Sequence, residues 1–140
     1  MSGHGPATEG EQVDYRASAG TWVLRIWFAL AFLIHLLALY SPGSGEPGAL
    51  PGLDKLGHFG MFAALVTPLL LLGSPVGWTL PIAALYGGAS EVIQAFGVPR
   101  RAGEFGDWAA DLLGIALAWA IWRAVPVEEP GPEAPAAPRR

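Results

Sequence analysis

The residues able to do chemistry fall into three short groups. Asp54-Lys55-x-x-His58 puts a carboxylate, an amine and an imidazole on one helical face, because positions three and four apart are neighbours on a helix. Glu91-x-x-Gln94 sets a carboxylate and an amide on one face of a second helix. Arg100, Arg101 and Glu104 then precede Asp107 and Asp111, which recur with Gly114 at i, i+4, i+7. An imidazole beside carboxylates can accept and return protons, so His58, Glu91 and Asp111 are the candidates for acid–base catalysis. Asp107 with Asp111 could hold a divalent cation, a hard ion that takes carboxylate oxygens; the sequence itself requires no cofactor. Lys55, Arg100 and Arg101 suit a phosphate-bearing ligand, since the planar guanidinium fork makes bidentate contacts to phosphate. The candidate binding set is therefore Asp54, Lys55, His58, Glu91, Gln94, Arg100, Arg101, Asp107 and Asp111.

What must position these groups is apolar and helical. Residues 59–90 carry no charge and lie between the first two groups. A run of that length crosses a bilayer about twice, since one crossing takes roughly 20 apolar residues. Gly73-Ser74-Pro75-Val76-Gly77 near its middle reads as a tight turn. If the run goes down and returns, both polar groups end on the same membrane face. Apolar segments at 21–40, 54–73, 76–96 and 107–125 predict an all-α polytopic membrane protein, a four-helix transmembrane bundle. Glu91 then lies about five residues inside its helix end, or roughly 7.5 Å, and a carboxylate at that depth must be paired or hydrated. Its expected partner is Arg101 or Lys55, the nearest basic residues on its face of the membrane. Small residues at Ala83/Gly87, Ala84/Gly88 and Ala110/Gly114 follow the spacing that lets membrane helices approach closely.

Composition fits. The 140 residues are 52% hydrophobic and 14% charged, against about 25% charged in soluble domains. A net charge of −4 without a basic stripe gives no footprint for nucleic acid. The absence of cysteine excludes disulfides and thiolate chemistry and leaves the redox compartment open. The tails, 1–20 and the proline-rich 126–140, are expected to be disordered. Continuous apolar runs argue against a transmembrane barrel. The long polar stretch ahead of the first segment argues against a cleaved signal peptide.

Four spans put both tails and the 73–78 turn on one side. That side holds Arg16, Arg25, Arg123, Arg139 and Arg140, against Lys55, Arg100 and Arg101 on the other. The positive-inside rule then predicts cytoplasmic tails in the plasma membrane and the polar groups outside.

The combination Asp54-Lys55-Leu56-Gly57-His58-Phe59, Glu91-Val92-Ile93-Gln94, Arg101 to Asp107, then Asp111 and Gly114 resembles the VanZ-like integral membrane proteins. The Tyr40-Ser41-Pro42 exit from the first span is similar too. The resemblance covers about 22–122 and implies a four-helix membrane domain with its site at these residues. Asp111 departs from the Asn of many members. The family is named for a link to teicoplanin resistance; its biochemical activity is not established, so the resemblance implies a fold and a site and no reaction.

Three functions fit these residues. The first is binding of a lipid or lipid-linked cell-wall precursor headgroup at the outer face, with lowered glycopeptide susceptibility. The second is a membrane enzyme acting on such a phospholipid or polyprenyl-linked substrate through its His, Glu and Asp side chains. The third is a proton-coupled small-solute transporter. Binding is preferred over catalysis, because no G-x-S-x-G, H-E-x-x-H or P-loop is present; transport ranks last for want of an internal repeat. Architectural readings stand beside the functional ones. Asp54, Lys55 and His58 could cap a helix, Glu91 with Arg101 could be a structural ion pair, and Gln94 could be interhelical hydrogen-bond glue. His35 is expected to be a satisfied interhelical histidine, and Arg25 and Arg123 to snorkel toward headgroups.

Overall fold

The computed structural model describes residues 9–42 and 52–126, with side chains described from residue 19 onward. Among them are four helices and no strand: α1 Glu9–Tyr40, α2 Leu53–Leu71, α3 Val76–Gly97 and α4 Phe105–Ala124. The helix boundaries lie within a few residues of the apolar segments, except at α1. That helix begins at Glu9 and so runs well ahead of residue 21, through part of the stretch expected to be a disordered tail. Residues 1–8 and 127–140 lie outside the described residues.

The turn between α2 and α3 is built by local chemistry. Gly73 adopts φ 88°, a left-handed conformation that costs a glycine little. Its N–H donates to Leu70 O at 3.0 Å, and the Ser74 N–H donates to Leu69 O at 3.1 Å. This is a Schellman motif, which satisfies carbonyls the helix end leaves bare. Pro75 follows as the N-cap of α3, and the chain reverses.

α2 is the central helix, packing most extensively on α4 and next on α1, while α3 lies against α4. Leu39, Phe62, Val66, Leu70, Ile115 and Ala118 form the apolar core. α2 and α4 approach closely at Gly114, where a Cβ would overlap the Phe59 carbonyl oxygen and meet Ala63 N at 3.0 Å. Only glycine allows that contact, and the contact sets His58 opposite Asp111 one turn away.

Polar and apolar residues are distributed against the usual pattern of a water-soluble fold. α3 buries Gly87, Ser90, Glu91 and Gln94, while Leu85 is 74% and Phe96 90% exposed. Two stretches, Ala19–Tyr40 and Phe105–Ala124, are long and apolar enough to cross a membrane.

Candidate functional site

At the end of the bundle where α2 and α4 begin and α3 finishes, three polar groups distant in sequence meet. His58 is 4% exposed and Asp111 fully buried; His58 Nδ1 and Asp111 Oδ1 lie 2.9 Å apart. An ionised carboxylate only accepts hydrogen bonds, so in that pairing the Nδ1–H is the donor to Asp111 Oδ1. Nε2 lies 4.0 Å from Asp107 Oδ2, and Nδ1 lies 3.7 Å from Glu91 Oε1. One imidazole is thus surrounded by three carboxylates.

Lys55 forms the outer layer. Its Nζ donates to Glu104 Oε2 at 3.0 Å, Asp107 Oδ1 at 3.1 Å and Asp54 Oδ2 at 3.2 Å. The ammonium has three protons and here three acceptors, so its donor capacity is filled. Gly106 keeps the stem close, since a Cβ there would meet Lys55 Cε at 2.8 Å. Asp107 therefore joins the two layers, with Oδ1 on Lys55 and Oδ2 toward His58.

Glu91 does not pair with Arg101 or Lys55, contrary to the sequence expectation. Its Oε2 accepts the Glu104 backbone N–H at 2.9 Å. Glu104 is the N-cap of α4 and makes no side-chain cap of its own. A carboxylate from α3 thus serves the positive N-terminus of α4. Oε1 has no hydrogen-bond partner among the described residues.

Arg101 instead closes the open end of α1. Its Nη2 donates to Ala38 O at 2.6 Å and its Nε to Ser41 O at 3.3 Å. The last carbonyls of a helix lack intrahelical donors and carry partial negative charge, and that is what draws the guanidinium there. Arg100 sits exposed with φ 58°, in a turn closed by the Arg101 N–H on Val98 O at 3.2 Å. Its guanidinium has no partner among the described residues.

Two further expectations need correction. Gln94 is 1% exposed, yet its Nε2 makes no hydrogen bond among the described residues, so its amide nitrogen is not interhelical glue. His35 is fully buried, and neither ring nitrogen has a hydrogen-bond partner among the described residues. It packs by its ring, 4.8 Å from Phe62 and 5.3 Å from Tyr86 between centroids. Arg25 and Arg123 lie over the rings of Trp22 and Trp119.

The structure thus gathers Asp54, Lys55, His58, Glu91, Asp107 and Asp111, and leaves Arg101 to a structural contact. Glu104 was visible only as a loop acid, and its double role in binding Lys55 and starting α4 has no signal in spacing. A pocket of about 210 Å³, lined by Gly88, Glu91, Gly103, Glu104, Phe105 and Trp108, opens beside Glu91. Chemically, the inner layer can shuttle a proton or ligate a cation, and the rim offers Arg100 to an anion. Comparison with protein-family models, curated proteins and solved structures finds no match for this chain.

Proposed function

We propose that the chain is a VanZ-like multi-pass protein of the plasma membrane. All four helices cross, both tails are cytoplasmic, and the polar end of the bundle faces outward. There it binds the phosphate-bearing headgroup of a lipid or a lipid-linked cell-wall precursor, lowering glycopeptide susceptibility. One observation carries the reading: α3 buries Ser90, Glu91 and Gln94 and exposes Leu85, Val92 and Phe96. That arrangement is costly in water, where exposed apolar patches are kept small, and suited to lipid, where polar groups turn into the bundle. The headgroup reading is supported by the unpartnered Arg100 at the rim of an end already rich in hydrogen-bonding groups. Arg101, engaged with α1, is withdrawn from that role.

The His58–Asp111 pair favours a second reading, an enzyme acting on the same class of lipid with His58 as base. Turnover of a fluorescent polyprenyl phosphate by the purified protein separates the two, since binding alone leaves the lipid unchanged.

The test is complementation in cells lacking the protein, measuring teicoplanin susceptibility together with membrane abundance. Wild type restores tolerance, and Arg100→Gly at equal abundance does not. Equal restoration by both would remove Arg100, and the headgroup reading with it.

A further inference from the structure

We propose that His58, Glu91 and Asp107 form a binding site for one divalent first-row transition-metal ion, with Asp111 as the residue that positions the imidazole. The inference goes beyond headgroup binding and does not rest on it. One ligand atom from each of the three residues lies within 4.8 Å of the others. That spread suits an ion whose bonds to nitrogen and oxygen are about 2.0–2.2 Å. All three side chains are buried, at 5%, 9% and 8% exposure. Three helices supply them, α2, α3 and the first turn of α4, so the site exists only in the assembled bundle.

A cluster of acids alone would not make a site. The independent observation is Glu91 Oε1, buried, without a hydrogen-bond partner among the described residues, 3.7 Å from His58 Nδ1 and within 4.8 Å of a ligand atom of Asp107. An orphaned buried carboxylate oxygen is costly, and an ion at the centre gives it a partner. The His58 geometry is a second indication. Asp111 Oδ1 lies 2.9 Å from Nδ1; with the Nδ1–H donating there, Nε2 is the nitrogen available to an ion. A carboxylate on the far nitrogen is the usual companion of a metal-bound histidine. One imidazole with two carboxylates favours Mn²⁺, Fe²⁺, Co²⁺ or Zn²⁺ over Ca²⁺ and Mg²⁺, which prefer oxygen-only shells. Lys55, bonded to the other Asp107 oxygen, screens the inner carboxylates from the rim. Asp54, Glu104 and Asp107 form a second acidic group, but Lys55 already fills it, so it is not the site.

The experiment uses the full chain in detergent, stripped with chelator and titrated with Mn²⁺ followed by electron paramagnetic resonance, with Co²⁺ absorption as a second signal. No lipid is added, so the result is independent of headgroup binding. Wild type takes up one ion per chain, and Co²⁺ develops visible bands of a nitrogen–oxygen site. Glu91→Gln and His58→Gln lose binding, whereas Asp111→Asn weakens it by about 10–100-fold, as removal of an outer-shell partner does. Arg123→Gln, in the last turn of α4 and away from the cluster, binds as wild type. Melting curves taken alongside identify any variant that does not fold; Asp111→Asn keeps a hydrogen-bond acceptor for His58 and serves if Glu91→Gln fails. Wild type without a saturable single site, or loss in Arg123→Gln equal to loss in Asp111→Asn, overturns the proposal.

Discussion

Replacing Gly114 by alanine tests the contact that brings His58 to Asp111. A Cβ at residue 114 overlaps the Phe59 carbonyl oxygen and meets Ala63 N at 3.0 Å, whereas a comfortable C···O approach is about 3.3–3.6 Å. The obstructing atoms are backbone, so no side chain can swing away and α2 must separate from α4. Overpacking of this kind costs about 1–3 kcal/mol, and a rigid neighbour places it toward the upper end. Alanine recovers about 1 kcal/mol of helix propensity over glycine. The net loss is therefore about 1–2 kcal/mol, and at about 4–8 °C per kcal/mol the melting midpoint falls by roughly 5–15 °C. Gly60→Ala is the control, because none of the described residues lies within 4 Å of a Cβ there. It gains propensity without a clash and melts at or above wild type. Thermal unfolding of the three proteins in one detergent decides the matter. If Gly114→Ala melts with or above Gly60→Ala, α2 and α4 do not meet as described and the placement of the cluster fails with them.

Other expectations follow from individual contacts. Asp111→Asn keeps an acceptor for the His58 Nδ1–H and should melt higher than Asp111→Leu, which leaves that buried donor unmade at about 1–3 kcal/mol; equal melting would mean the bond is absent. Arg101→Lys cannot span Ala38 O and Ser41 O together, so amide exchange in the last turn of α1 should quicken by up to about tenfold, and unchanged protection would contradict the cap. With the tails inside, a cysteine at Ala102 should react with an impermeant thiol reagent in intact cells and one at Ser74 should not; the reverse pattern would invert the topology.

Much of the fold could be read from the residues. The uncharged 59–90 run broken at Gly73-Ser74-Pro75 predicts two antiparallel helices whose polar ends coincide, and His58 of α2 does meet Glu91 of α3. The i, i+4, i+7 pattern of Asp107, Asp111 and Gly114 gives the buried face of α4. The pairings were not legible. Spacing ranks cations by distance from Glu91, but it does not reveal that the end of α1 offers Arg101 bare carbonyls, or that the start of α4 offers Glu91 a bare N–H. Both are backbone groups left by helix ends, and their positions follow from the packing. The N-terminal extent of α1 was hidden for another reason: residues 9–18 lack apolar periodicity, and a helix can continue there by propagation from the segment that follows.

The central claim is that the polar end of the bundle is a binding site and more than scaffold, and Arg100 gives the most direct test. At φ 58° a non-glycine residue bears about 1–2 kcal/mol of strain that glycine relieves, so Arg100→Gly should fold at least as well as wild type. Native mass spectrometry of both proteins, purified with membrane lipids retained, should find a phosphate-bearing lipid on wild type and little or none on Arg100→Gly at equal melting temperature. Equal retention by the two, or no bound lipid on wild type, would contradict the account.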